Sequence, residues 1–407
     1  MKHLGDITKI SGYTAPIVDC VVGGSPCQDL SIAGKRAGLD GERSGLFMEQ
    51  VRIVKEMRDR DVRENGRTGV DVRPRYLVWE NVPGAFSSNK GEDFRIVLEE
   101  IARVKDKDAV IPRPDKWQTS GCIVGDGWSI AWRVLDAQFW GVPQRRRRIA
   151  LVADFGGESA SEILFVRKGV CGHSQPSESE RKAVAHDADR STGTDDIYCI
   201  DGDKLNKKER SGGSGIGYRE GNQYTLTAKD VHGVAYTMKI RSGCDVNATL
   251  QMGAFRSLNC NNVVRTRYTV RRLTPLECER LQGYPDGWTD IGEYTDSKGK
   301  KKQSSDAARY KALGNSIALP PWKWVMKRLC ACYERDATLA SLFSGIGGFD
   351  LIWTQLNGYG SVLWESEIEN FPSAVCKRHF GDEATGERGD FYEAILGRDT
   401  EANVGKC

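Results

Sequence analysis

The chain contains no run of about 18 apolar residues, so no segment reads as a membrane span and no membrane partner is expected. Its first residues, Met1-Lys2-His3-Leu4-Gly5-Asp6, lack the apolar core of a secretory signal, and a cytoplasmic protein is expected. Cysteine pairs with zinc spacing are missing although there are 12 cysteines, so no metal site is expected. Cys330-Ala331-Cys332 is too tightly spaced for such a site. In a reducing compartment these cysteines read as free thiols rather than structural disulfides. Charge of one sign is also scarce. The formal net charge is +3, which by itself gives little support to a nucleic-acid partner.

What is present is an alternation of strand and helix patterns. At 407 residues the chain has room for one large or two ordinary domains. Strands are expected at 18–22, 76–79, 128–135 and 149–153, with helices at 43–57 and 94–104. That order predicts an α/β fold whose mostly parallel sheet is covered on both faces. From 156 to 268 the composition shifts to Gly, Ser, Asp and Lys, with short β-like patches such as Tyr224-Thr225-Leu226-Thr227, loosely echoed by Asn247-Ala248-Thr249-Leu250. We expect a small, irregular second domain there, with mobility between 171 and 217. Thr274, Pro275 and Glu277 predict a capped helix start, and Gly283 its end. A helix at 322–335, a strand at 339–343, a glycine turn at 345–348, a helix from Phe349, a strand at 361–364 and a helix to Phe380 complete the expected order. The tail beyond, with a weakly amphipathic stretch at 391–396, suggests no role.

Three local patterns carry chemistry. In Gly23-Gly24-Ser25-Pro26-Cys27-Gln28, a cysteine follows proline in a glycine-rich turn after an apolar strand, at the edge where open α/β sheets place their chemistry. A lone cysteine there is as compatible with packing as with nucleophilic attack. Arg145 to Arg148 abut the apolar strand that follows, and arginine's rigid fork suits phosphate or base edges. Strand alternation would turn Arg145 and Arg147 away from Arg146 and Arg148. A second basic run, Lys298, Lys300, Lys301 and Lys302, reads as a solvated loop. Phe343-Ser344-Gly345-Ile346-Gly347-Gly348-Phe349 joins a strand to a helix, and glycines there let backbone approach a ligand. An acid about 20 residues on would meet ribose hydroxyls. Glu367 has that spacing from Gly347, and Glu365 competes with it.

Taken together, Pro26-Cys27-Gln28, Glu80-Asn81-Val82, Gln144 to Arg148 and Phe343 to Phe349 resemble the DNA (cytosine-5)-methyltransferases. The resemblance covers most of the chain outside the middle region. It implies a Rossmann-like methyltransferase sheet with a smaller target-recognition domain, divided as 1–155 (catalytic part), 156–309 (target recognition) and 310–407 (cofactor-binding part and tail). It implies methyl transfer from S-adenosylmethionine, giving S-adenosylhomocysteine, to C5 of a cytosine flipped out of double-stranded DNA. Cys27 would be the nucleophile, Glu80 the carboxyl acting at N3, and Arg148 the contact to O2. Arg146 would order the cysteine loop and Glu80, with Gln144 supporting the same network at the DNA side. The cofactor would meet Phe343, Ser344, Gly345, Ile346 and Gly347, with Glu367 on the ribose and Ile368 against the adenine. Asp6 and Ile7 match the adenine-edge pair, and Pro26, Leu46, Asn315 and Ser316 the remaining contacts. Gln28, Ser31, Lys35 and Arg36 resemble a mobile loop closing on DNA, although Lys35 and Arg36 read equally well as solvated.

One departure is the motif order. In the family the glycine loop comes first, whereas here it comes last, and joining Phe380 to Met1 would restore the usual order. The chain therefore reads as circularly permuted. The resemblance further implies a monomer encoded by a bacterium or phage, acting alone or beside a cognate restriction endonuclease. Readings from other classes are a dinucleotide oxidoreductase, the same chemistry on RNA, and a non-catalytic DNA-binding relative.

Overall fold

The computed structural model describes residues 1–25, 45–165, 197–200, 218–220, 223–228, 232–240 and 265–381. Its centre is an eight-stranded sheet in the order β1-β14-β13-β2-β3-β6-β5-β4. The strands are β1 (Lys2–His3), β2 (Cys20–Gly23), β3 (Tyr76–Asn81), β4 (Ser120–Gly125), β5 (Trp128–Asp136), β6 (Arg147–Asp154), β13 (Leu339–Leu342) and β14 (Val362–Ser366). Neighbours from β1 through β3 run parallel; β6, β5 and β4 add on antiparallel.

The central strands are short apolar runs because helices cover both faces. Alternation within β3 sorts them: Tyr76 and Val78 enter one core, Leu77 and Trp79 the other. The first core is closed by the helices Leu319–Cys330 and Gly348–Asn357, the second by Gly45–Asn65 and Glu92–Ala102. The edge strand β4 instead alternates exposed and half-buried residues. The fold is thus the expected α/β methyltransferase-type sheet. Among the described residues no helix is long and apolar enough to cross a membrane.

Several elements depart from the sequence pattern. The helix expected at 43–57 runs Gly45–Asn65. Its polar last turns are held by tertiary bonds: Arg58 donates to the carbonyls of Val72 and Pro74, and Arg60 to that of Ala15. The helix expected at 322–335 begins at Leu319 and ends at Cys330, and a separate helix, Asp306–Asn315, precedes it. Capping agrees with expectation. Thr274 and Glu277 form a reciprocal capping box, and Gly283 ends the helix Pro275–Gln282 at φ 80°.

The middle region contributes a four-stranded antiparallel sheet, β10-β9-β7-β8, from β7 (Ile197–Ile200), β8 (Tyr218–Glu220), β9 (Gly233–Ile240) and β10 (Arg265–Arg272). Tyr224 to Thr227 is not a strand. It follows Gln223, which bridges Gln144, and Leu226 packs into the first core. Residues 247–250 and 391–396, and nearly all of 171–217, lie outside the described residues. The lysine run ends in a hairpin of β11 (Glu293–Thr295) and β12 (Lys301–Gln303), where Lys301 pairs with Glu293 and Lys302 with Asp296.

Candidate active site

β2, β3, β13, β14 and β1 deliver their C-terminal ends to one edge of the sheet, where ligands bind in open α/β folds. Pro26, Cys27, Gln28, Ser31, Lys35 and Arg36 lie outside the described residues, but the root of their loop does not. Trp79 Nε1 donates to Ser25 Oγ at 2.9 Å, and Asn81 Nδ2 donates to the Ser25 carbonyl at 3.3 Å. Gly24 leaves room for the Glu80 carboxylate: a Cβ at that position would stand 2.8 Å from Glu80 Oε2. Ser25 and Asn81 belong to the motifs, but their contact with each other and with Trp79 is not legible there, because it exists only once β2 and β3 are paired.

Arg148 reaches Glu80 from β6, with Nε 2.8 Å from Oε1, in a pair that is mostly buried. The alternation along Gln144 to Arg148 is as expected: Gln144 and Arg146 are buried, Arg145 and Arg147 exposed. Arg146, however, does not hydrogen-bond Glu80. Its guanidinium is fully buried and donates to the carbonyls of Leu226 (2.9 Å), Gly314 (3.2 Å) and Ser316. Burial depresses its pKa well below the ordinary arginine value, and Arg148 pushes the same way. Arg146 therefore ties the arginine motif to the middle region and to Asn315-Ser316. Gln144 lies near it in the chain. Its side chain is fully buried with neither amide atom hydrogen-bonded.

The glycine turn follows β13. Phe343, Gly345 and Gly347 all have positive φ (55°, 57° and 77°). At Gly347 a Cβ would also meet Phe380 Cε2 at 2.8 Å, so glycine is required twice over. The turn faces Glu367. One carboxylate oxygen of Glu367 accepts from Gly345 N–H (2.8 Å), the other from Ile368 N–H (2.8 Å) and Glu369 N–H (2.7 Å). Burial raises the Glu367 pKa and these N–H groups oppose it. Its competitor Glu365 is buried within the sheet against His3 Nδ1, below the edge.

β1 lies beside β14, with His3 opposite Glu365, and Ser366 Oγ donates to the Gly5 carbonyl at 2.6 Å. Asp6 thus stands next to Glu367 at the strand ends. Its carboxylate caps the turn Ile7–Lys9 by accepting from Thr8 N–H and Oγ, bonds that hold its pKa low. Ile7 and Ile346 are buried in the two cores, so only their backbone faces the edge, and Leu46 is half-buried. Ile368 is 71% exposed, and Phe343 is half-buried beside the turn. Two apolar side chains flanking a carboxylate suit a nucleoside, with purine against the former and ribose hydroxyls on the latter. Asn315 is exposed, and Ser316 is buried with Oγ 2.5 Å from Tyr284 Oη.

The chain matches the profile of C-5 cytosine-specific DNA methylases over residues 1–105 and 124–331. It is 28% identical over 434 residues to a "DNA N-6-adenine-methyltransferase" of Escherichia phage P1, an alignment covering 83% of this chain and 56% of that protein. The type II methyltransferase M1.ScrFI of Lactococcus lactis subsp. cremoris is 26% identical over 341 residues, covering 82% of this chain and 67% of that one. The orphan methyltransferase M.SPRI of Bacillus phage SPR is 25% identical over 427 residues, covering 81% and 87%. The chain thus spans little more than half the length of the phage P1 relative. Among solved structures, the S. pombe Dnmt2 methyltransferase aligns with a TM-score of 0.42 and 15% identity, over 80% of this chain and 83% of that one. With a single profile spanning the catalytic strands and reaching through the helix Leu319–Cys330, the chain belongs to the C-5 cytosine-specific DNA methylase family.

Proposed function

We propose that this protein methylates C5 of a cytosine flipped out of a specific duplex DNA sequence, using S-adenosylmethionine. The observation that carries the reading is the Glu80–Arg148 pair, 2.8 Å apart, beside Gly24 and Ser25 at the root of the Pro26-Cys27 loop. Only Pro26 separates Ser25 from Cys27 in the chain, two backbone steps that span at most about 7 Å. The Cys27 thiolate adds to C6 of the cytosine, and the electron pair displaced from the 5,6-bond makes C5 nucleophilic. Glu80 shares a proton with N3 as negative charge builds on the ring, and Arg148 donates to O2. S-adenosylmethionine, when bound, supplies the electrophilic methyl. Loss of the C5 proton then expels the Cys27 thiolate and restores the ring. Glu367 holds the ribose hydroxyls, with Ile368, Phe343 and the Asp6-Ile7 turn around the adenine.

The sheet β10-β9-β7-β8 belongs to the target-recognition part, 156–309, and 1–155 with 310–407 form the methyltransferase part. The motif order is a circular permutation of the family order. Supporting it, the Met1 ammonium lies 3.4 Å from the Phe380 carbonyl and β1 pairs with β14. The protein acts on DNA as a cytoplasmic monomer, with or without a cognate endonuclease.

A 5-fluorocytosine duplex should trap the wild type covalently in the presence of S-adenosylmethionine, and Cys27→Ser should neither be trapped nor turn over. Near-normal turnover of Cys27→Ser would refute the mechanism. Turnover on transfer RNA but not on duplex DNA would move the substrate to RNA.

A further inference from the structure

The segment Gly283-Tyr284-Pro285-Asp286-Gly287-Trp288-Thr289 plays no part in the chemistry above, yet it touches two stretches assigned to the cofactor, the glycine turn and Ser316, and the helix that follows Glu367-Ile368. Trp288 is fully buried, and its Nε1 donates to the carbonyl of Ile346 inside the glycine turn at 2.8 Å. Its indole lies flat on the His379 ring, centroids 3.7 Å apart and 6° from parallel. His379 belongs to the helix Asn370–Phe380, which starts just after Glu367-Ile368. His379 Nε2 lies 2.8 Å from the Trp288 carbonyl. A carbonyl only accepts, so that nitrogen carries the proton. Burial lowers the His379 pKa to about 4, which keeps the ring neutral at physiological pH. Four residues earlier, Tyr284 Oη meets Ser316 Oγ at 2.5 Å. It also crowds the first helical glycine, since a Cβ on Gly348 would stand 2.5 Å from that hydroxyl oxygen.

The segment is held rigidly from behind. The Glu279 carboxylate, fully buried, accepts from Gly287 N–H (2.7 Å) and Thr289 N–H (2.8 Å), the residues on either side of Trp288. Arg309 pairs with the same carboxylate at 3.3 Å. An indole held by both neighbours can hold a turn in place; a loose one could not.

We propose that Trp288 is a positioning residue for the cofactor, with Tyr284 as its second arm: together they set the glycine turn, the helix end at Ser316 and the helix after Glu367 at the spacing that one nucleoside requires. The turn needs such support because its φ values are positive at three positions, and a turn of that kind has other accessible shapes. The proposal rests on the methyltransferase reading, since it presumes that these stretches hold S-adenosylmethionine.

The test is isothermal titration calorimetry of S-adenosylmethionine into the full-length protein without DNA. Trp288→Phe keeps an aromatic ring beside His379 and removes the N–H bonded to Ile346 together with one ring of the indole. Its Kd should rise about 2- to 12-fold, the range for one net hydrogen bond. Tyr284→Phe should raise it by a similar factor. Turnover at saturating cofactor should stay within about twofold of wild type, so the loss falls in KM and not in kcat. The Kd for duplex DNA should not change. If Trp288→Phe does not fold, Tyr284→Phe decides alone. Unchanged cofactor affinity in the folded variants, or a kcat loss at constant affinity, overturns the proposal. A wild type that binds no S-adenosylmethionine would instead overturn the reading on which it rests.

Discussion

Replacing Gly347 by alanine tests the glycine turn most directly, because the structure separates two costs there. The first is conformational. At φ 77° an L-residue pays roughly 1–2 kcal/mol for the left-handed region. The second is steric. The new Cβ would sit 2.8 Å from Phe380 Cε2 and 3.3 Å from Cys376 Sγ, both in a packed core, and such overpacking costs about 1–3 kcal/mol. Gly347→Ala should therefore destabilise the fold by about 2–5 kcal/mol. Gly345 supplies the control. It also has positive φ, 57°, but its Cβ would find only a carbonyl oxygen at 4.0 Å. Gly345→Ala should lose only the conformational share, about 1–2 kcal/mol. Urea denaturation followed by tryptophan fluorescence measures both, as a lower midpoint at unchanged slope. Adding Phe380→Leu to Gly347→Ala should recover part of the steric share, because the ring edge in the way is gone. Equal destabilisation by the two alanines, or no interaction between Gly347→Ala and Phe380→Leu, would refute the reasoning.

Glu80→Gln keeps the shape at the root of the cysteine loop but loses the charge facing Arg148, and methyl transfer should fall about 100- to 10,000-fold while S-adenosylmethionine affinity by calorimetry stays put; normal turnover would remove Glu80 from the chemistry. Arg146→Lys retains a cation but cannot span the carbonyls of Leu226, Gly314 and Ser316, so each carbonyl left unpaired should cost about 1–3 kcal/mol in chemical denaturation; a variant as stable as wild type would refute that role. Burial, and then the nearby Glu365 charge, raise the Asp350 pKa to about 8 from an ordinary 3.8. The folded protein therefore holds a proton there that the unfolded chain releases, and stability should fall as pH rises between about 4 and 8, by up to about 1.4 kcal/mol per unit. Asp350→Asn should flatten that part of the profile, and denaturation curves at pH 6, 7 and 8 with the same slope as wild type would show that Asp350 is ionised throughout.

The features legible in the sequence are those written over a few adjacent residues. Apolar runs marked β2, β3 and β6, and strand alternation separated buried Gln144 and Arg146 from exposed Arg145 and Arg147. Thr274, Glu277 and Gly283 announced both ends of a helix, because capping is local hydrogen-bond chemistry. The cysteine, acid, arginine and glycine motifs could be read because their chemistry resides in residue type and order. Two acids two residues apart could not be told apart that way. Glu365 lies inside β14, and the strand ends at Ser366, so Glu367 leaves the sheet to meet the glycine turn. The helix from Gly45 outruns its apolar pattern because its arginines find carbonyls in other segments. Arg146 was legible as a motif residue, but its acceptors stand 80 and 170 positions away along the chain. Trp288 gave no local sign that it would meet Ile346, 58 positions away. Local order thus determined the strands and caps of this chain and where its motifs lie along it. Which of those residues face one another was decided only by tertiary structure, since a buried donor takes whatever acceptor the packed sheet and helices bring to it.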